Sequence, residues 1–102
     1  MARCFAANLG DLQPDGVAQA SCNGIAICLA RLADGSVHAV ADQCSHEAYS
    51  LSEGLVIGGE IECPQHGSRF DVRTGAPTGL PAIKPVAVFN VHVEGDRIYV
   101  DI

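Results

Sequence analysis

The sequence has few basic residues and few aromatic ones. Its 102 residues include six Lys or Arg against twelve Asp or Glu, which gives a formal net charge of −6 at pH 7, and Trp is absent. A nucleic-acid-binding surface needs clustered Lys or Arg to neutralise phosphates. The composition therefore argues against nucleic acid as a partner, and the acidic balance suits solubility and steering toward a basic protein partner instead.

Long apolar runs are also missing. No stretch of the chain approaches the roughly 18 apolar residues of a transmembrane helix. The N-terminus MARCFAANLG has neither the apolar core nor the cleavage pattern of a secretory signal. We therefore expect a cytoplasmic protein without membrane contact. A chain of 102 residues predicts one domain, and we expect it to be a monomer.

Helical periodicity is absent as well. No window keeps an apolar stripe at helical spacing for three turns, and five prolines limit helix further. The runs GVAQASC and GIAICLARLA meet at Asn23-Gly24, a favoured hairpin dipeptide, and SVHAVAD follows across Asp34-Gly35, a second two-residue turn signal. Apolar and polar residues alternate from Phe89 to Val93 within VAVFNVHV and throughout RIYVDI, which predicts one buried face. The sequence predicts an all-β chain.

The middle of the chain behaves differently. From Asp42 to Leu80 the alternation breaks, and Gly, Ser, Pro and His accumulate. Gly58-Gly59 predicts a turn, because a phosphate-binding loop would need a following helix and a suitably placed Lys. Loops on a rigid scaffold commonly carry function. We therefore predict an insertion that carries the chemistry, held on a β framework that both chain ends form.

Two short Cys/His pairs lie in this insertion. Cys44-x-His46 and Cys63-x-x-His66 are separated by sixteen residues. Four such ligands can bind a tetrahedral Zn²⁺, or a [2Fe–2S] cluster with the cysteines on one iron and the histidines on the other. One Cys and one His in each loop favour the cluster, because each loop can then offer one ligand to each iron. A zinc-stabilised interaction module is the alternative.

The motif resembles that of a known family. Cys-x-His, sixteen residues and Cys-Pro-x-His, followed by HGSRFDVRTG and TGLPAIKP, closely resemble the Rieske [2Fe–2S] motif. In size and layout the whole chain resembles the Rieske-type ferredoxins of bacterial multicomponent aromatic-ring-hydroxylating dioxygenases. The resemblance implies a single Rieske domain, with an antiparallel β-sandwich framework (1–42 and 81–102) and an inserted two-loop cluster-binding subdomain (about 43–80).

The resemblance also implies one [2Fe–2S] cluster per chain and a role for each ligand. Cys44 and Cys63 would bind one iron as thiolates. His46 and His66 would bind the other iron through imidazole nitrogen, with their ring edges near solvent. Pro81 would help to cover the cluster from one side.

The function implied is electron transfer rather than catalysis. The chain would carry one electron at a time from an NAD(P)H-dependent flavin reductase, its ferredoxin reductase, to a terminal Rieske non-haem iron oxygenase in aromatic hydrocarbon catabolism. Apart from the four motif residues only His38 and His92 remain as histidines, so the chain lacks a second 2-His-1-carboxylate iron site. The runner-up is a Rieske small subunit of another oxidoreductase, such as nitrite reductase.

The reduction potential can be placed from residues that are missing. High-potential respiratory Rieske proteins resemble this pattern but carry a cysteine in each loop where this chain has Tyr49 and Gln65, and a tyrosine where it has Phe70. Ser68 matches a serine of the family that donates a hydrogen bond to the cluster. Fewer donors stabilise the reduced cluster less, so the sequence predicts a midpoint near the low end of the class, about −150 mV.

Three cysteines and two histidines lie outside the motif. The odd count of five excludes complete pairing within one chain. We expect Cys4, Cys22 and Cys28 to pack as small hydrophobic residues, with a Cys22–Cys28 disulfide as the alternative. His38 and His92 are predicted to be solvent-facing strand residues.

Overall fold

The chain folds into antiparallel β-structure, as the sequence predicts. The computed structural model describes residues 3–45, 49–65, 67–80 and 82–102. Among these residues there is no helix with the length and apolar character of a membrane span. Two short 3₁₀ turns, Leu9–Asp11 and Leu51–Glu53, accompany the strands. The strands are β1 (Arg3–Asn8), β2 (Val17–Cys22), β3 (Ile25–Arg31), β4 (Val37–Ala41), β5 (Leu55–Ile57), β6 (Glu60–Glu62), β7 (Arg69–Asp71), β8 (Pro77–Gly79), β9 (Val88–Phe89), β10 (Val91–Glu94) and β11 (Arg97–Asp101).

The two ends of the chain form two facing sheets. One sheet has the strand order β1-β11-β10, and the other has the order β2-β3-β4-β9. Ile98 and Val100 of the first sheet share a buried cluster with Ile27 and Leu29 of the second. Burial of these aliphatic side chains, at about 1.5–3 kcal/mol each, holds the two sheets together.

Strand β3 is buried on both of its faces. Ile27 and Leu29 belong to the core between the framework sheets, whereas Cys28 and Ala30 belong to a second core. Successive side chains of a strand point to opposite faces, so these two pairs separate by register. This explains why GIAICLARLA reads as a continuous apolar run rather than an alternating one.

The second core joins the framework to a third sheet. Strands β5, β6, β7 and β8 pair in that order within the segment that the sequence predicts as an insertion. Leu51, Ile61 and Phe70 are fully buried and pack in the same cluster as Cys28 and Val40 of the framework. The third sheet therefore packs on the face of β3 and β4 that the first core leaves uncovered.

The tight turns follow the glycines, with one difference in length. Asn23 (φ 53) and Gly24 (φ 77) both adopt left-handed conformations between β2 and β3, which confirms the predicted two-residue hairpin turn. The connection at Asp34-Gly35 is longer than predicted. There the Leu32 N–H donates to the Ser36 carbonyl at 2.9 Å, and Gly35 takes a φ of 90°. The loop has three residues, because a left-handed glycine after a type I turn closes this hairpin.

The C-terminal run VAVFNVHV serves two sheets. Strand β9 pairs with β4, whereas β10 pairs with β11, so the chain changes sheet at Asn90. The Asp101 N–H donates to the Asn90 carbonyl at 3.0 Å at the crossing. Ile98 and Val100 are buried as predicted, but Val93 is exposed because β10 lies at the edge of its sheet.

The predicted packing of Cys4 and Cys22 as free thiols was wrong. A disulfide joins them, with their Cα atoms 6.0 Å apart, and it links β1 of one framework sheet to β2 of the other. The alternative Cys22–Cys28 pairing was also wrong. Cys22 and Cys28 belong to different cores, so their side chains point to opposite faces of the sheet. Cys28 is a buried thiol, as expected.

Candidate metal centre

Cys44 and Cys63 lie at equivalent places in the fold. Cys44 follows β4, Cys63 follows β6, and each is only 2% exposed. Both belong to the second core, so the structure brings the two predicted thiolate ligands to the same buried region. The Cys4–Cys22 disulfide uses neither of them.

The two loops that begin at these cysteines close in the same way. The Cys44 N–H donates to the Tyr49 carbonyl at 2.9 Å, and the Cys63 N–H donates to the Ser68 carbonyl at 2.7 Å. Each hydrogen bond therefore spans five residues and draws its loop back toward the cysteine. The other two predicted ligands, His46 and His66, fall between these closing points and lie outside the described residues.

The two ligand loops are held next to each other by close backbone contact. Gly54 ends the 3₁₀ turn that follows the first loop, and its N–H donates to the Leu51 carbonyl at 2.9 Å. A Cβ atom at Gly54 would lie 1.8 Å from the carbonyl oxygen of Glu62, the residue before Cys63. Only glycine permits this approach, because any side chain would collide with the Glu62 carbonyl. The absence of a side chain at Gly54 therefore determines how closely the two loops are spaced.

A third segment runs from residue 80 to residue 85, and its described residues Ala82 and Lys84 contact the two ligand loops. The Ser45 hydroxyl donates to the Lys84 carbonyl at 2.6 Å, and the Ala82 N–H donates to the Ser68 hydroxyl oxygen at 3.2 Å. Pro81, which the family resemblance places over the cluster, is outside the described residues. The two serine contacts tie this segment to the residue after Cys44 and to the closing residue of the second loop.

A buried carboxylate supports the first ligand loop, and no motif in the sequence predicted its role. Asp42 is 6% exposed and precedes Cys44 by two residues. It accepts hydrogen bonds from the Ser52 N–H at 2.6 Å, the Ser52 hydroxyl at 2.8 Å and the Gln19 side-chain amide at 2.6 Å. The only hint of this role in the sequence was the position of Asp42, at the end of a predicted strand and two residues before a predicted ligand.

Cys28 remains a thiol in this environment. Burial in the second core, and then the negative charge of Asp42, raise its pKa to about 12. A thiol with so high a pKa is protonated at neutral pH, because both causes disfavour the thiolate. This agrees with a packing role for Cys28.

The two histidines outside the motif have partners of their own. His38 Nε2 lies 3.0 Å from the Ser36 hydroxyl, and burial, followed by the charge of Arg73, lowers the pKa of His38. His92 Nε2 lies 2.7 Å from a carboxylate oxygen of Asp101. Both are partly exposed strand residues. Within residues 3–45, 49–65, 67–80 and 82–102, no three Cys, His, Asp or Glu side chains gather into a further metal-binding group.

These features fit a [2Fe–2S] cluster bound by the motif. Two cysteines share one buried region, and each begins a loop with the same closing hydrogen bond. Matched loops suit a dinuclear centre to which each loop would contribute one thiolate and one imidazole. Buried surroundings and fixed peptide groups are also the means by which a protein tunes such a centre.

Comparison with known proteins agrees with this fit. Residues 3–90 match the family model of the Rieske [2Fe-2S] domain. The chain is 37% identical to the 3-phenylpropionate/cinnamic acid dioxygenase ferredoxin subunit of Escherichia coli, over all of this chain and 95% of the relative. A ferredoxin of carbazole 1,9a-dioxygenase from Nocardioides aromaticivorans superimposes with a TM-score of 0.90 at 39% identity, covering 98% of this chain and 97% of the other.

A further solved structure contains a ferredoxin together with an oxygenase. In a complex of reduced oxygenase and oxidized ferredoxin in carbazole 1,9a-dioxygenase, the matching chain has a TM-score of 0.89 and 35% identity, covering 96% of this chain and 91% of that one. Both this match and the previous one extend over nearly the whole chain. The chain belongs to the Rieske [2Fe–2S] domain family.

Proposed function

We propose that the protein is a one-electron carrier of an aromatic-ring dioxygenase system, and that it passes electrons from an NAD(P)H-dependent flavin reductase to a terminal Rieske non-haem iron oxygenase. The observation that carries the proposal is the pair of matched loops at Cys44 and Cys63, in a chain whose ferredoxin relatives match it over almost its full length. The complex of a similar ferredoxin with its oxygenase supports the oxygenase as a partner.

The proposed ligand set is Cys44 and Cys63 on one iron and His46 and His66 on the other. The bound cluster would supply a reversible store for one electron. The chain's own contribution is to keep the cysteine side buried in the second core and to fix the loop spacing through Gly54 and Glu62. We assign the framework to residues 1–42 and 81–102 and the cluster-binding subdomain to about 43–80.

The residues outside the motif do not suit oxygen activation. The chain contains four histidines, of which two belong to the motif. His38 and His92 lie on different strands, where they contact Ser36 and Asp101. A mononuclear iron site for O₂ needs two histidines and one carboxylate around open positions. This supports a carrier rather than an oxygenase, and we propose that it acts in the cytoplasm, as a monomer, by docking to its partners.

We propose that segment 80–85 contributes to the docking surface for the oxygenase. Leu80 and Ile83 are 78% and 77% exposed, although both are large apolar residues. Ser45 and Ser68 hold the segment against the two ligand loops. Exposed apolar side chains beside a redox centre suit a transient contact in which fast release matters as much as affinity.

Reconstituted turnover tests this function. The purified protein is combined with a ferredoxin reductase, NADH and a candidate terminal oxygenase, and the hydroxylated product is measured. The proposal predicts product formation that depends on the carrier concentration and is lost on Cys63→Ser. Turnover by an NADPH nitrite reductase lacking its own small subunit, without turnover by any oxygenase, would support the alternative. Zinc in place of iron would support the structural module.

A further inference from the structure

Asp42 connects the framework to the first ligand loop. Its carboxylate accepts from Gln19, on framework strand β2, and from both the N–H and the hydroxyl of Ser52, in the 3₁₀ turn that follows the loop. The Asp42 N–H also donates to the Ala26 carbonyl of β3 at 3.1 Å. Both ends of the ligand loop are thus fastened through one residue.

The charge of this residue lies close to the ligand region. Asp42 and Cys44 are two residues apart, so their Cα atoms are separated by at most about 7 Å. Three hydrogen bonds from donors satisfy the carboxylate in its ionised form, which only accepts. The effect of this charge reaches the second core, because it contributes, after burial, to the raised pKa of Cys28. Cys44 and Cys63 belong to the same core.

We propose that Asp42 is a positioning residue for the cluster, which anchors the loop of Cys44 and also lowers the reduction potential by its negative charge. The inference rests on the ligand set proposed above. Reduction adds one negative charge to the cluster, and a fixed negative charge in poorly solvated surroundings opposes that addition. Water screens an exposed carboxylate much more effectively.

Two substitutions of Asp42 separate its charge from its contacts. Asp42→Asn removes the charge but keeps an oxygen for Ser52, and the Gln19 amide can rotate to present its own oxygen. We expect the midpoint potential of this variant to be higher than that of the wild type. The rise should correspond to at least a threefold gain in the electron-binding constant, on a scale where a tenfold gain corresponds to about 59 mV. Asp42→Ala removes the contacts as well, and its cluster absorbance on mild heating should disappear at least threefold faster than in the wild type.

Two further variants serve as controls. Glu53→Gln makes the same chemical change on an exposed acid beside Ser52. Its electron-binding constant should stay within twofold of the wild-type value. Ser52→Ala keeps the charge of Asp42 and removes one donor, so it should lose its cluster faster without a rise in midpoint. This variant tests the anchor even if neither Asp42 variant folds.

Two measurements on the same holoproteins distinguish the outcomes. Redox titration monitored by visible absorbance gives the midpoint, and loss of that absorbance on heating gives the cluster lifetime. A higher midpoint for Asp42→Asn together with faster cluster loss for Asp42→Ala or Ser52→Ala supports the inference. An Asp42→Asn midpoint equal to that of the wild type, or equal cluster lifetimes throughout, overturns it. If the inference is overturned but the wild type contains two irons per chain, the proposed function remains intact. A wild type without iron would overturn the proposed function itself.

Discussion

Gly54 lies so close to Glu62 that a methyl group on its Cα would be 1.8 Å from the Glu62 carbonyl oxygen. Because the backbone after the first ligand loop would have to move away from the backbone before the second, we expect Gly54→Ala to lower the free energy of unfolding by about 3 kcal/mol. Urea unfolding of the holoprotein measures this. Gly10→Ala is the matched control, since its Cβ would come no nearer than 3.7 Å, to the Asp96 carboxylate. Equal losses in the two variants would contradict the close-contact explanation.

The Cys4–Cys22 disulfide should contribute measurably to stability. It closes a loop with a sequence separation of 18 residues and joins the two framework sheets. Restriction of the unfolded chain by a loop of this length is worth about 3 kcal/mol. We expect dithiothreitol to lower the free energy of unfolding by about that amount. The double variant Cys4→Ser, Cys22→Ser should start at the lower value and not respond to reductant. A wild type that is equally stable with and without reductant would show that the bond adds nothing.

Cys28 should resist thiol reagents until the protein unfolds. Burial, and then the charge of Asp42, raise its pKa to about 12, so almost no thiolate exists at pH 8 for alkylation. The pKa of Cys28 is higher in the folded state than its unfolded value of about 8.5. The contribution of the protonated thiol to the free energy of unfolding is therefore fully present below about pH 8.5 and is lost as the pH rises toward about 12. Mass spectrometry after iodoacetamide treatment at pH 8, with and without urea, locates the label. Rapid labelling of Cys28 in the folded holoprotein would contradict its burial.

The docking role of segment 80–85 predicts a kinetic effect without a change at the cluster. Leu80→Asp places a charge where an apolar contact is proposed, and we expect kcat/KM of the oxygenase for the carrier to fall about tenfold, which corresponds to about 1.4 kcal/mol. Absorbance and midpoint should match the wild type. Val93→Asp is the control, since Val93 is an exposed apolar residue on framework strand β10. Equal activity of Leu80→Asp and the wild type would remove Leu80 from the docking surface.

The reduction potential should lie near the low end of the Rieske range, at about −150 mV. Phe70 is fully buried beside the cysteines and has no hydroxyl to donate to a sulfur atom. Ser68 is also fully buried, and its oxygen accepts from Ala82, so its own hydrogen is available for one further acceptor. Because Phe70 supplies no such donor, the reduced cluster gains less stabilisation than it would with a tyrosine at this position. A mediated redox titration that gives a midpoint above about +100 mV would contradict this reasoning.

Local patterns in the sequence predicted local structure well. The Asn23-Gly24 turn was predictable because both residues tolerate the left-handed conformation that a type I′ turn needs. The all-β class followed from short alternating runs, and the burial of Cys44 and Cys63 agrees with their predicted role as thiolate ligands.

Features that depend on how distant segments meet were not predictable. The change of sheet at Asn90 leaves no mark in the sequence, because apolar and polar residues alternate from Phe89 to Val93 across it. The Cys4–Cys22 bond depends on where β1 passes β2, and sequence spacing does not record that. Asp42 gave only a weak signal, because its partners Gln19 and Ser52 are 23 and 10 residues away.

The ligand set is the central claim, and the EPR spectrum of the dithionite-reduced protein tests it most directly, with iron and acid-labile sulfide measured on the same sample. We expect two irons and two sulfides per chain and a rhombic signal whose average g value lies distinctly below that of all-cysteine clusters. Cys44→Ser and Cys63→Ser should abolish that signal. A silent spectrum with one zinc per chain would contradict the cluster, and with it the electron-transfer function.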